Sequence, residues 1–124
     1  MLRDKIVQKL NLRKTQLAIS YEAIAKRARV GVATVKRVYD ARDVSVGKIE
    51  SIIEALGLDD NLRPKMSTSK MIASQIEYKT EMILARVIHS SALELQEPSS
   101  ETQALLRKQI KSQLAKLPRS KIWQ

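Results

Sequence analysis

The stretch SYEAIAKRARVGVATVKRVYD, which covers residues 20–40, contains two short segments with helical apolar spacing. Ser20 is a suitable N-cap for a first helix over about Tyr21 to Ala28, because its hydroxyl can accept a free backbone N–H. After a short turn, a second helix is expected over about Val32 to Asp40. Two short helices can cross steeply only where small side chains meet, and Ala25 lies at the expected crossing. The stretch therefore predicts a pair of helices joined by a tight turn.

The segments on either side continue the helical pattern. A helix is expected over about Arg3 to Gln16, with a buried face formed by Leu2, Ile6, Val7, Leu10 and Leu17. Ser45 is expected to cap a fourth helix over about Val46 to Leu56. Gly57 is expected to end that helix, because Gly adopts the left-handed C-terminal conformation at little cost. Residues 1–58 are therefore predicted to form a four-helix domain.

The composition changes after the fourth helix. Residues 59–66 contain Asp, Asn and Pro, which continue helices poorly, so they are expected to form a linker. A long helix is expected from Ser69 to Leu95, and a shorter helix is expected to begin at Ser100 and to end before Pro118. The chain is thus predicted to be all-α, with a carboxyl-terminal helical region over residues 67–124.

The long helix is apolar over most of its circumference, so it needs cover on more than one side. One interpretation is a dimer contact, for which the candidate residues are Ile72, Ile76, Ile83 and Val87. The alternative is that the helix folds back and completes the core of its own domain. Trp123 is expected to anchor the tail against a helix.

The protein has a net charge of +10, which is unevenly distributed. The net charge is +6 over residues 1–58, −1 over residues 59–98 and +5 over residues 99–124. Such a cation attracts polyanions, chiefly nucleic acid, although a merely solvated basic surface would have the same composition. Within residues 20–42, two acidic residues accompany six basic ones, which are Lys26, Arg27, Arg29, Lys36, Arg37 and Arg42. This excess would give sequence-independent affinity for nucleic acid through counterion release.

The second helix of the central pair is expected to leave one face free. The leading end of such a helix can enter the major groove of B-DNA and contact base edges. The candidates for base reading are Val32, Ala33, Lys36 and Arg37. Small apolar residues suit a thymine methyl, whereas Lys and Arg can donate to guanine O6 and N7. The residues expected to contact phosphates around this face are Tyr21, Lys26, Arg29, Thr34, Arg42 and Lys48.

Three motifs within residues 12–58 point to one family. They are S-x-E-x-[IL]-A at Ser20 to Ala25, V-x-x-x-T-[VI]-x-R at Val30 to Arg37, and S-x-x-x-[IL]-x-x-[IL]-x-x-A-L-G at Ser45 to Gly57. The segment resembles the lambda-repressor/Cro-type (XRE) helix-turn-helix domain, and the run VGVATVKRVYD is also similar to that of LacI-type repressors. Both families bind operator DNA as dimers. The resemblance implies a homodimeric, double-stranded DNA-binding regulator of transcription, with repression favoured over activation.

The chain departs from the family pattern at four positions. Tyr21 replaces a Gln that usually contacts phosphate, Arg29 replaces the Gly of the turn, and Tyr39 replaces a Glu. Gly31 lies where a Ser cap is common. Tyr21 and Tyr39 have packing as an alternative role. By the family pattern, Thr34 matches a phosphate-contacting position and the base-reading positions are matched by Val32, Ala33, Lys36 and Arg37.

A second class of function is protein binding. The sequence SSALEL is similar to the S/T-x-x-x-E-G/N inhibitory motif of Fic-domain proteins and their antitoxins; Ser90 and Glu94 match it, whereas Leu95 departs. The alternative is therefore an antitoxin whose carboxyl-terminal helices inhibit a toxin, with DNA binding for autoregulation. RNA binding has less support, because the chain lacks the aromatic residues that usually stack on unpaired bases. A basic helical bundle without nucleic-acid function would share the same periodicity.

The residues give no indication of catalysis, a metal site or a cofactor. There is no Cys, and His89 has no second ligand at a suitable spacing, so a packing or solvent-facing role is expected for it. Ser90 and Ser91 lack a matching His and Asp for nucleophilic catalysis. The first residues, MLRDKIVQKLNLRK, do not have the pattern of a signal peptide, and no apolar run is long enough to span a membrane. We therefore expect a cytoplasmic protein that is not an enzyme.

Overall fold

The computed structural model describes residues 2–94 and 97–124, and across these residues it contains helices and no strand. This confirms the predicted all-α class. The described helices are α1 (Leu2–Leu17), α2 (Tyr21–Ala28), α3 (Val32–Tyr39), α4 (Val46–Ala55), α5 (Thr68–Leu93), α6 (Ser100–Ala115) and α7 (Arg119–Ile122).

The first four helices lie within one or two residues of their predicted bounds. The Ser20 hydroxyl caps α2 as expected and accepts a hydrogen bond from the Ala23 amide at 3.1 Å. Ser45 is the N-cap residue of α4 as predicted, but its side chain makes no capping hydrogen bond. The first turn of α4 is instead closed by the backbone, where the amides of Lys48 and Ile49 both donate to the Ser45 carbonyl.

The carboxyl-terminal helices differ from expectation mainly at their ends. Helix α5 begins one residue before the expected start, and its N-cap is Ser67, whose hydroxyl accepts from the Lys70 amide at 3.1 Å. The expected end at Leu95 lies outside the described residues. Helix α6 begins at Ser100 as predicted. Residues 119–122 belong to the predicted tail and form the short helix α7 after Pro118.

One hydrophobic core is shared by α1 to α4 and the carboxyl-terminal region. Its fully buried members include Leu10, Ile24, Val35 and Ile52. Met71 of α5 and Trp123 belong to the same core as the buried residues of α2 and α3. The beginning of α5 therefore completes the core of its own chain, which was the alternative to a dimer contact. Farther along, α5 packs against α6 and α7.

The tail is attached to the end of α1. The indole N–H of Trp123 donates to the Leu17 carbonyl at 2.7 Å, and Arg119 donates to the Gln16 carbonyl at 2.9 Å. The last carbonyls of a helix have no partner within that helix, so these two side chains satisfy acceptors that would otherwise need water. The contacts confirm that Trp123 anchors the tail against a helix.

The segment predicted as a linker, residues 59–66, is a compact turn. The Asp59 carboxylate accepts from the amides of Arg63 at 3.0 Å and Asn61 at 2.9 Å, and these backbone donors, chiefly that of Arg63, lower the pKa of Asp59. The amide of Lys65 donates to the Gly57 carbonyl at 2.8 Å. The segment therefore returns to the end of α4 and does not extend away from it.

Arg13 joins this turn to three helices. Its side chain is only 3% exposed, although it belongs to a residue type that is almost never fully buried without a partner. The guanidinium donates to the carbonyls of Leu56 at 2.8 Å and Met66 at 2.6 Å, and to the Thr68 hydroxyl at 3.0 Å. Burial lowers the pKa of Arg13, but a guanidinium keeps its charge in proteins. A buried cation here therefore connects α1, the end of α4 and the start of α5.

Gly57 allows the chain to turn beside this cation. Its φ of +71° confirms the left-handed conformation predicted from the sequence. A β-carbon at Gly57 would also overlap the sulphur of Met71 and lie 3.2 Å from the Arg13 guanidinium. By contrast, a β-carbon at Gly47, within α4, would have no heavy atom within 4 Å.

We predict that Arg13→Met destabilises the fold by about 2–4 kcal/mol, because several buried acceptors lose their donor at once. Urea unfolding with a linear extrapolation measures this change. Arg3→Met is the matched control on the same helix, since Arg3 makes an exposed ion pair with Asp43. Equal stability of the two variants would show that the Arg13 contacts contribute nothing to folding.

We predict that Gly57→Ala destabilises the protein by about 2–4 kcal/mol, through the left-handed backbone and the overlap with Met71. Gly47→Ala should instead stabilise it by about 0.5–1 kcal/mol, because Ala replaces Gly within a helix. Thermal and urea unfolding of both variants test the pair. A neutral Gly57→Ala variant would contradict the close contact with α5.

Candidate nucleic-acid interface

Helix α3 is held from behind by the core. Val35 is completely buried, and Val38 and Tyr39 are nearly so. The Tyr39 hydroxyl donates to the Leu10 carbonyl of α1 at 3.2 Å, and burial raises the pKa of Tyr39 far above its ordinary value. Since α3 also contacts α2 and α4, its rotation about its own axis is set by packing on one side.

The opposite face of α3 is exposed to solvent. Ala33, Lys36 and Arg37 are exposed, whereas Val32 is half-buried and packs against the core. The side chains of Lys36 and Arg37 make no hydrogen bond or ion pair with another residue that the structure describes. Three of the four predicted base-reading residues therefore share one accessible face, and Val32 lies at its edge.

Tyr21 has a packing role. Its ring meets that of Tyr39 edge to face with a centroid distance of 5.2 Å, and the Lys14 ammonium lies 4.5 Å from its centroid. Tyr21 thus supports α3 through Tyr39. Lys14 was missed by sequence reasoning; its place one turn before Leu17 on α1, preceding the Ser20 cap, gave no distinctive signal.

The other predicted phosphate contacts differ in exposure. Thr34 is half-buried on α3. The exposed members are Lys26, Arg29, Arg42 and Lys48. They come from α2, from the turn after it, from the loop after α3 and from α4, and so occupy several elements next to α3.

Arg27 does not belong with these cations, although it was counted in the local basic excess. Its guanidinium donates to the Ala55 carbonyl at 3.1 Å and lies 5.1 Å from the centroid of the Trp123 ring. Burial lowers the pKa of Arg27. Successive residues of a helix point about 100° apart, so Lys26 and Arg27 serve different sides of α2. Arg27 connects α2 to α4 and to the tail.

Arg29 occupies a conformation that Gly would adopt more easily. It follows α2 with φ of +59° and ψ of +42°, and its amide donates to the Ala25 carbonyl. The family pattern has Gly at this position, and the left-handed backbone gives the physical reason. The conformation costs an L-residue about 1–2 kcal/mol, which Arg29 tolerates in this turn.

The predicted dimer residues are partly covered by their own chain. Ile72 packs against the main core, and Ile76, Ile83 and Val87 are half-buried. Helix α5 also contacts α6 and α7 of the same chain. Of the four residues, Ile72 is therefore an intramolecular contact in the single chain.

The remaining candidates are at the surface. His89, Ser90 and Glu94 are exposed near the end of α5, while Leu95 of the SSALEL motif lies outside the described residues. Within residues 2–94 and 97–124, no three His, Asp or Glu side chains are grouped as a metal site would require. None of the helices over the same ranges combines the length and apolar character needed to cross a membrane.

Comparison with protein-family models, with curated proteins and with solved structures gives no match to this chain. The geometry of the α2–α3 pair and the resemblance in its motifs are therefore the basis for assigning a function.

We predict that Arg29→Gly raises the free energy of unfolding by about 0.5–1 kcal/mol, because relief of the left-handed backbone exceeds the entropy gained by the unfolded chain. Ala18→Gly is the matched variant, since Ala18 has φ of +54° in the turn after α1 and carries no charge. Both increases are measured by urea unfolding. A decrease for Arg29→Gly alone would mean that its side chain stabilises the fold.

Proposed function

We propose that the protein is a sequence-specific, double-stranded DNA-binding regulator of transcription that inserts α3 into the major groove. The observation that carries this proposal is the exposed pair Lys36 and Arg37 on a helix whose other face is immobilised by Val35, Val38 and Tyr39. A rigid helix with unpaired donors on its outer face suits base reading, because the donors need little reorganisation on binding.

The chemistry of the outer face suits a mixed sequence. Lys36 and Arg37 can donate to O6 and N7 of guanine, which are the acceptors that distinguish this base in the major groove. Ala33 can approach a thymine methyl without a steric conflict. Val32 is half-buried, so its share in base reading is limited to the edge of the face.

Phosphate contacts would position the helix and supply most of the affinity. The exposed cations proposed for this role are Lys26, Arg29, Arg42 and Lys48, and Lys14 beside Tyr21 adds one more. Arg27 is excluded by its contacts with Ala55 and Trp123. We assign Tyr21 to packing against Tyr39. Thr34 is half-buried, so we assign it a smaller phosphate contact.

Binding as a homodimer and repression are part of the proposal. Operators of this type have two half-sites about 34 Å apart, which require two copies of α3. Ile76, Ile83 and Val87 remain the candidates for the dimer contact, since each is only half-buried in the single chain. Selection of bound duplexes from a random pool, followed by sequencing, would reveal both the preferred bases and the half-site spacing.

We predict that Lys36→Ala and Arg37→Ala each weaken binding to the selected duplex by about 1–3 kcal/mol and loosen base preference. The matched controls are Lys108→Ala and Lys111→Ala, two exposed cations of α6 that remove the same charge. Fluorescence anisotropy with labelled duplexes measures the affinities.

Arg42→Ala and Lys48→Ala provide the complementary test. They should weaken binding to all duplexes alike and reduce the salt dependence, because they remove phosphate contacts and no base contact. If the α3 pair and the phosphate pair leave DNA binding as unchanged as the α6 controls do, α3 is not the reading helix.

A second candidate function is the binding of a partner protein, as in an antitoxin. The observation that favours it is a large open groove between α5 and the α2–α4 side of the molecule. The groove and the outer face of α3 are formed by different residues, but Lys26 and Arg29, two of the cations proposed to contact phosphates, also line the groove.

A further inference from the structure

The groove is bounded by two separate parts of the fold. Helices α2 and α4 form one side, α5 forms the other, and Trp123 contributes at the base. Its volume of about 1340 Å³ is larger than the roughly 300–1,000 Å³ of typical small-molecule pockets. The dimensions therefore suit a peptide segment better than a metabolite.

One face of α5 supplies the apolar part of the groove. Tyr78 and Met82 are one helical turn apart and both line it, although they are 60% and 39% exposed. Met66, from the turn before α5, lines it as well and is 39% exposed. Large apolar side chains that remain this exposed mark a surface suited to a partner, and methionines adapt to varied shapes.

The polar part of the groove is strongly basic. Lys26 and Arg29 line it from the α2 side, and Lys79 and Arg86 line it from α5. The Lys79 ammonium donates to the Lys121 carbonyl at 3.1 Å and has two further donors for a partner. Glu54 is the one acidic side chain among the described residues around it. Arg27 also lies in the wall, but it is occupied by Ala55 and Trp123.

We propose that this groove binds an acidic amphipathic helix of a partner protein. The apolar face of that helix would cover Tyr78 and Met82, and its acidic residues would pair with Lys79 and Arg86 on one side and with Lys26 and Arg29 on the other. Helix-in-groove binding of this kind uses apolar anchors one turn apart, and complementary charge sets orientation and partner choice.

Other occupants fit the groove less well. Two copies of this groove facing one another would bring two basic rims together, so a second copy fits less well; of the proposed dimer residues, Ile83 lines the groove, whereas Ile76 and Val87 do not. A DNA duplex supplies negative charge but offers little apolar surface for Met66 and Met82. Single-stranded nucleic acid needs several aromatic platforms, and Tyr78 is the one available, since the Trp123 ring is occupied by Arg27.

The groove also has a consequence that rests on the proposed function. Lys26 and Arg29 line the groove and are also assigned to phosphate contacts. A bound acidic helix would therefore neutralise two cations that hold DNA, and it would release the protein from its duplex. The partner would act as an antagonist of DNA binding.

The first test uses a fluorescein-labelled probe peptide and no duplex. The probe is a designed helix of about fourteen residues with Leu at i, i+3, i+4 and i+7 spacing, Glu on either side of the Leu positions and Ala elsewhere, so that few like charges lie one turn apart. One control peptide has Gln in place of Glu, and the other has Ser in place of Leu. At about 150 mM salt, the probe should bind at least about tenfold more tightly than either control.

Variants of the protein locate the site. Tyr78→Ser combined with Arg86→Glu should weaken the probe by about tenfold or more, since both residues are exposed and line the groove. The matched control, Leu105→Ser combined with Lys108→Glu, changes an exposed apolar residue and an exposed cation of α6 and should leave the affinity unchanged. Thermal unfolding checks that both variants remain folded.

Several results would overturn the proposal: no binding of the probe, equal binding of the Ser peptide, or equal loss in the two double variants. Binding of a single-stranded oligonucleotide that only the groove variant abolishes, without binding of the probe, would assign the groove to nucleic acid. A second experiment adds the probe to the protein–duplex complex and expects release. If no duplex binds at all, the proposed function fails, while the peptide result still decides the groove.

Discussion

The buried guanidinium of Arg13 is the contact on which the arrangement of the two halves depends. It has no carboxylate partner among its described contacts; its acceptors are the carbonyls of Leu56 and Met66, the hydroxyl of Thr68 and the sulphur of Met71. Leu56 closes α4, so the cation lies at the negative end of that helix dipole, which offsets part of the cost of burial. The turn after α4 and the start of α5 are thereby held against α1.

Helix α1 also positions α3 and the tail. Its Leu10 carbonyl accepts from Tyr39 of α3, and its Leu17 carbonyl accepts from Trp123 of the tail. The Tyr39 ring in turn meets Tyr21 at the start of α2. Helices α2 and α3 and the carboxyl-terminal region are therefore held, directly or through Tyr39, by α1. The orientation of α3 thus depends on contacts made far from Lys36 and Arg37.

The sequence predicted the elements of the fold better than their connections. Apolar spacing located α1 to α4, and Ser20, Gly57 and Trp123 have the roles expected of them. The contacts of Arg13, Arg27 and Lys14 were missed because the partners of long side chains are set by tertiary proximity. The acceptors of Arg13 are 43 and more residues away. A signal for Arg13 did exist: it lies three residues after Leu10 and four before Leu17, on the buried stripe of α1. The contact between Arg13 and Met66 joins residues that are similarly distant in the sequence, so composition alone predicts a linker over residues 59–66.

The division of the cations has a further implication for the total charge. Arg13 and Arg27 donate to backbone carbonyls and Arg107 is paired with Glu81, so the side chains of these three residues have partners within the fold. Lys26 near the end of α2, Arg29 in the turn after it, Arg42 after α3 and Lys48 of α4 are instead exposed. Lys26 near the end of α2 and Arg29 in the turn after it both line the groove, and both belong to the cations proposed to contact phosphates. Under the two proposals, these two cations are common to both surfaces, so a DNA duplex and an acidic helix would compete for them without any change in the fold.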